Sequence, residues 1–236
     1  MIKLQNFSKS YDGKNFIVDE LNLTINKGDM FGFIGHNGAG KTTTIKSIVG
    51  ILDFEKGDIL IDGVSIKKEP IKCKQILSYV PDNPEIYENL TGYQYINFIC
   101  DVYGVENSKR IPLIEKYCEE LELVGVLNDL VSSYSHGMKQ KLVLIASLVH
   151  EPKILVLDEP FVGLDPKASY NLKKIMKEFC ENGGSIFFST HVLDVAQKIC
   201  NKIAIIKKGK IIIEGEIDKL TKSQSLEDIF METADE

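Results

Sequence analysis

Gly35-His36-Asn37-Gly38-Ala39-Gly40-Lys41-Thr42 is the stretch from which the rest of this chain is best read. It fits the pattern G-x-x-x-x-G-K-[ST] in full. The apolar run Met30–Ile34 precedes it, and Ile45, Ile48, Val49 and Leu52 follow at helical spacing. Glycines let the backbone curl tightly and aim successive N–H groups at phosphate oxygens. A helix starting at Lys41 adds its positive dipole end. Lys41 offers a point charge to the β- and γ-phosphates, and Thr42 offers a hydroxyl to Mg²⁺. The stretch predicts ATP with Mg²⁺ as ligand, held by Gly35, His36, Asn37, Gly38, Ala39, Gly40, Lys41, Thr42 and the adjoining Thr43. His36 stands at a free position, so its side chain is assigned no role.

Working outward, Leu77–Val80, Ile154–Leu157 and Ile186–Ser189 are short apolar runs like Met30–Ile34. Buried parallel strands read this way. After Asp165-Pro166, the residues Leu172, Ile175, Met176 and Phe179 recur at helical spacing, with Pro166 where a first turn tolerates it. Residues 1–30 alternate apolar and polar positions, with Leu21, Leu23 and Ile25 on one face and turns at Asp12-Gly13 and Lys27-Gly28-Asp29. This predicts antiparallel strands. Ile59-Leu60-Ile61 before Asp62-Gly63 is a hairpin signal. Between Pro84 and Val149 the pattern is mostly helical. Ile203–Ile206 and Ile211–Glu214 flank Lys207-Lys208-Gly209-Lys210, a hairpin whose lysines read as a solvated turn. Leu226, Ile229 and Phe230 share one face of a short docked helix in the tail 225–236. The fold expected is α/β: a core with a mostly parallel sheet, an N-terminal antiparallel β subdomain and an inserted helical subdomain.

The chain has 236 residues, 44% of them hydrophobic and 26% charged, an ordinary globular composition. Its formal net charge of -6 argues against a nucleic-acid partner, which would attract surplus Lys and Arg. Cys73, Cys100, Cys118, Cys180 and Cys200 are scattered, with no Cys-x-x-Cys pair, so they read as plain core or surface thiols. The N-terminal residues lack the apolar stretch of a signal peptide. No apolar run approaches the ~20 residues needed to span a bilayer. These features predict a cytoplasmic chain that needs separate partners for any membrane task.

Ile154-Leu155-Val156-Leu157 runs into Asp158-Glu159. One acid there can hold Mg²⁺ through a water, and the next can take a proton from an attacking water. Taken alone, an acidic turn after a strand is as good an account. His191, in Ser189-Thr190-His191, follows another apolar run and could hydrogen-bond a γ-phosphate, although a lone histidine is more often structural. Asp82, in Val80-Pro81-Asp82, follows a further run. Gly35, Asp82, Asp158 and His191 would then converge on one edge of the sheet, where ligands bind in parallel α/β folds.

Over essentially its whole length the chain resembles the nucleotide-binding subunit of ATP-binding cassette (ABC) transporters. Tyr134-Ser135-His136-Gly137-Met138-Lys139-Gln140 looks like that family's signature loop, usually Leu-Ser-Gly-Gly-Gln, and Gly163-Leu164-Asp165 resembles its D-loop. The resemblance implies a single ABC ATPase domain with a P-loop NTPase core: about 1–83 and 150–220 for core and antiparallel β subdomain, 84–149 for the helical subdomain and 221–236 for a C-terminal helix or tail. It makes Glu159 the catalytic carboxylate, His191 the switch histidine and Asp158 the metal-side aspartate, with Lys41 assisting catalysis. Tyr11 matches the residue that stacks on adenine, although a plain strand-edge tyrosine reads the same way. Ser135 and Gly137 would face the γ-phosphate bound by a second ATPase subunit, identical or related, in a head-to-tail dimer. Integral membrane subunits would complete the transporter and hold this chain on the cytoplasmic face.

Two departures stand out. Asp82 occupies the place of a glutamine that contacts metal and water in the family; shorter and charged, it is a further metal candidate beside Thr42 and Asp158. His136 and Met138 replace a glycine and a glutamine of the signature. Such variants, and the ending Ser225-Leu226-Glu227-Asp228-Ile229-Phe230, resemble exporters whose ATPase and membrane subunits are separate chains. The alternative is a soluble ABC-type ATPase acting on ribosomes or DNA. The second cassette, long charged linker or coiled coil of those relatives is absent here.

Overall fold

The computed structural model describes residues 1–235; Glu236, the last residue of the expected tail, lies outside the described residues. The chain begins with β1 (Ile2–Ser10), β2 (Phe16–Ile25) and β3 (Met30–Ile34), then α1 (Lys41–Ile48), β4 (Lys56–Ile61), β5 (Val64–Ser65), α2 (Pro70–Ile76) and β6 (Leu77–Val80). A helical stretch follows: α3 (Gly92–Val102), α4 (Asn107–Glu120), short 3₁₀ turns at Val124–Val126 and Val131–Ser133, and α5 (His136–Leu148). The chain then returns through β7 (Ile154–Asp158), α6 (Pro166–Glu181), β8 (Ser185–Thr190) and α7 (Leu193–Ile199). It ends in β9 (Lys202–Lys207), β10 (Lys210–Glu216), α8 (Ile217–Leu220) and α9 (Leu226–Asp235).

A six-stranded sheet has the order β10-β9-β3-β8-β7-β6, parallel except for β10, and a four-stranded antiparallel sheet has the order β2-β1-β4-β5. The fold is thus the expected α/β architecture. Every residue of β3, β7 and β8 is buried. Side-chain alternation explains why. Ile34, Leu155, Leu157, Ile186 and Phe188 face the helices in one core cluster. Phe31, Phe33, Ile154, Val156 and Phe187 face α1 and the antiparallel sheet in the other. Strands covered on both faces lose the polar alternation of half-buried ones.

Local chemistry sets the boundaries. Asp62 (φ 51°) and Gly63 (φ 84°) both take the left-handed conformation of a tight hairpin turn between β4 and β5. Thr91 and Gln94 form a reciprocal capping box at the start of α3. Asp165 caps α6 by accepting the Ala168 N–H at 2.8 Å, with Pro166 in the first turn. One apolar spacing overreaches: α1 stops at Ile48, because Gly50 (φ 66°) turns the chain, so Leu52 lies beyond the helix.

His150, just past α5, sits in a cleft between helical and sheet layers beside Tyr79, Tyr95 and Lys74. Its ring stacks on Tyr103 with centroids 3.7 Å apart and planes 5° apart. Both ring nitrogens are buried without a hydrogen-bond partner among the described residues. Burial pushes its pKa down from 6.5 to about 4. The unfolded chain therefore takes up a proton at His150 below its ordinary pKa, and the folded chain does not until about pH 4. Stability falls as pH drops through that window, by up to about 3 kcal/mol. Urea unfolding between pH 7 and pH 4 should show a shallower loss for His150→Phe than for the parent; an equal loss would assign it to other groups.

Candidate functional site

The phosphate loop leaves β3, and the segments carrying Asp82, Asp158-Glu159 and His191 leave β6, β7 and β8 at the same edge. Gly38 (φ 80°) and Gly40 (φ 108°) hold backbone conformations that side chains disfavour, so the loop needs glycine there. Gly40 is also the N-cap of α1, and no side chain caps that helix end. Its first-turn N–H groups are thus left for an anion. Lys41 is 7% exposed, and its ammonium donates to the carbonyls of Gly35 at 2.6 Å and His36 at 3.3 Å. Burial pulls its pKa down, while the charges of Glu159, Asp158 and Asp82 work against that.

Asp158 closes β7 and is 2% exposed. Parallel register places Ser189 of β8 opposite it. The Ser189 hydroxyl donates to Asp158 Oδ1 at 2.5 Å and accepts the Glu159 N–H at 3.1 Å. Glu159 takes a positive φ of 48° and turns its carboxylate into the recess. Oε1 lies 3.8 Å from Lys41 Nζ, and Oε2 lies 3.0 Å from His191 Nδ1. The same Oε2 accepts the His191 backbone N–H at 3.3 Å. Asp82 lines the recess with Asp158 and Glu159. Burial raises its pKa, and the charges of Asp158 and Glu159 raise it further.

Thr42 and Thr43 line the same recess. Tyr11, 63% exposed, stands at its side with its hydroxyl 3.3 Å from Thr43 Oγ1. Ser135 and Gly137 are placed elsewhere. Ser135 caps α5, accepting the Met138 N–H at 3.2 Å. Gly137 packs so closely on the Gly163 segment that a Cβ on it would lie 2.6 Å from the Gly163 carbonyl oxygen. Lys141 of α5 pairs with Asp165 at 2.8 Å. The signature and Gly163-Leu164-Asp165 thus form one surface outside the recess, on the same chain.

The oxygen donors suit Mg²⁺: a threonine hydroxyl and carboxylates around one recess match a hard cation. Among the described residues, no cluster of three or more carboxylates, thiols or imidazoles closes a protein cage. Such a cation would take the rest of its shell from water or ligand oxygens.

Two sequence readings gain detail from the structure. The His36 ring lies 4.6 Å from that of Phe230 on α9. The Lys207–Lys210 turn is not merely solvated. Lys207 donates to the Thr233 carbonyl at 2.6 Å, and the Gly209 N–H donates to Ala39 of the phosphate loop at 3.1 Å. Ser189 is a site residue that sequence reasoning misses. It reads as the end of an apolar strand, and only strand register reveals its partner.

A family model described as ABC transporter matches residues 18–162. The Bacillus subtilis (strain 168) "uncharacterized ABC transporter ATP-binding protein YhcH" is 42% identical over 217 residues, covering 90% of this chain and 68% of that protein. The Streptococcus pyogenes "lantibiotic transport ATP-binding protein SrtF" is 35% identical over 230 residues, covering 98% of this chain and 96% of that one. A solved structure of an ATP-binding subunit of an ABC transporter superposes with a TM-score of 0.95 at 29% identity, covering 99% of both chains.

Ser189→Ala strips a buried carboxylate of its hydroxyl partner and the Glu159 amide of its acceptor. It should destabilise the fold by about 1–3 kcal/mol in urea unfolding. Ser189→Thr should recover most of that loss. Equal stability of all three proteins would show that the bridge does not form.

Proposed function

This chain belongs to the ABC transporter family as an ATP-binding, ATP-hydrolysing subunit, and on that basis we propose how its residues share the work. The observation that carries the reading is the recess in which Lys41, Asp158 and Glu159 meet the phosphate loop. The loop amides and Lys41 bind the β- and γ-phosphates, replacing the Gly35 and His36 carbonyls that hold the ammonium in this structure. Thr42 and Asp158 would hold Mg²⁺, with Asp82 as a further oxygen donor. The cation would neutralise charge developing on the transferred phosphoryl group. Glu159 takes the proton of the attacking water. His191 orients Glu159 through the 3.0 Å contact of Nδ1 and keeps Nε2 for the γ-phosphate. Tyr11 offers its exposed ring to adenine.

Ser135 and Gly137 act in trans. The recess of this chain lacks them, while the N-terminus of α5 is suited to an anion. A second ATPase subunit, identical or related, would bring its α5 to this recess and receive this α5 at its own. Membrane subunits would dock along the groove beside Asp82, where Tyr87 and Phe98 are exposed and pack edge-to-face at 5.6 Å. No helix among the described residues is long and apolar enough to cross a membrane, so passage through the bilayer falls to such partners. Their cytoplasmic face is where this chain would work. The direction we propose is export, on the resemblance of the signature variants His136 and Met138 and of the ending 225–230 to exporters with separate membrane subunits.

Glu159→Gln should bind ATP normally, lose turnover by at least about 100-fold and accumulate as an ATP-bound dimer in size-exclusion chromatography. Hydrolysis at the parental rate would remove Glu159 as the base. Asp82→Asn subtracts one charge near the cation. It should raise several-fold the Mg²⁺ concentration for half-maximal turnover, and an unchanged Mg²⁺ dependence would place Asp82 outside the metal shell.

A further inference from the structure

The phosphate loop is supported from behind by two segments from the end of the chain. In the β9–β10 turn, the Gly209 N–H donates to the Ala39 carbonyl at 3.1 Å, and the Gly209 carbonyl accepts the Asp19 N–H at 3.1 Å. The turn thus ties the phosphate loop to β2. It sits so close that a Cβ on Gly209 would lie 2.2 Å from the Ile17 carbonyl oxygen, and Ile17 lines the recess. On α9, Phe230 sets its ring 4.6 Å from that of His36.

The helix α9 is fixed independently of that contact. Leu226 and Ile229 are 0% and 5% exposed. The Leu226 N–H donates to Gln197 Oε1 of α7 at 3.0 Å. Lys207, at the end of β9, donates to the Thr233 carbonyl at 2.6 Å. The strand that leads into the turn therefore also holds the helix. Turn and helix form one connected unit against the loop, and α7, which carries the helix's other anchor, begins at Leu193, just beyond His191 and Val192.

A loop that binds phosphate through backbone N–H groups works by having them aimed before the ligand arrives, since ordering them on binding costs affinity. Glycines supply the curl but also the freedom to leave it. A rigid aromatic contact on the one bulky side chain between Gly35 and Lys41 opposes that freedom. We propose that α9 and the β9–β10 turn form a brace that presets the phosphate loop for nucleotide, with Phe230 as a positioning residue acting through His36. The C-terminal helix is then part of the ATP-binding apparatus and not only a cover for the core. This rests on the phosphate loop being the ATP site.

The test is nucleotide affinity, measured with ATP and Mg²⁺ and separately from turnover. Phe230→Leu keeps an apolar side chain on α9 but removes the ring. It should weaken ATP binding about two- to tenfold, the range of one aromatic pair, with kcat at saturating ATP and Tm near parental values. Phe230→Tyr should restore affinity. His36→Ala should weaken binding similarly, and the double variant should be no weaker than either single one, because both remove the same contact. Parental ATP affinity in Phe230→Leu or additive losses in the double variant would each overturn the brace. Lys41→Ala separates the two readings. If the parent binds ATP no better than Lys41→Ala, the site assignment fails. If the parent alone binds well and the Phe230 variants match it, only the brace fails.

Discussion

The site depends on the parallel register of β7 and β8, which sets Asp158 against Ser189. A carboxylate buried to 2% exposure is costly unless its oxygens are hydrogen-bonded. Ser189 supplies that bond and accepts the Glu159 N–H with the same oxygen. One hydroxyl thereby fixes the buried acid and the backbone of the next one. Glu159 is left in a left-handed conformation that points it between Lys41 and His191. Because β3 pairs with the other side of β8, the phosphate loop opens onto the same recess.

Charge balance shapes what that recess can hold. Asp82, Asp158 and Glu159 face one buried ammonium, that of Lys41. Burial first and the neighbouring carboxylates second raise the pKa of Asp82, while on Lys41 burial and those carboxylates pull in opposite directions. An anionic ligand such as a triphosphate is repelled by three carboxylates, yet it is drawn by the loop amides, the uncapped end of α1 and Lys41. A divalent cation held by Thr42 and the carboxylates would offset that repulsion and help the recess accept the phosphates. ATP and a hard cation therefore suit this site better together than apart.

The geometry of α5 sets a different limit. Its N-terminus is tied to the Gly163–Asp165 segment by the close Gly137–Gly163 approach and the Lys141–Asp165 pair. Those ties keep Ser135 and Gly137 on a surface apart from the recess of their own chain. A helix N-terminus held outside the recess of its own chain cannot complete that recess, which is the physical argument for the second subunit proposed above.

From the sequence alone came the phosphate loop, the buried strands around it, the antiparallel sheet and the helical stretch, because each is written in local pattern. Glycine spacing, runs without polar alternation and turn pairs such as Asp62-Gly63 act over a few residues. The same locality placed Asp82, Asp158, Glu159 and His191 at strand ends, hence at one edge. Tertiary structure alone decided what those residues touch. Ser189 gained its role from a strand partner 31 positions away. His36 gained its ring contact from α9, and Ala39 its hydrogen bond from Gly209. Contacts between segments distant in the chain are fixed by packing and register, which leave no local mark on the residues that make them.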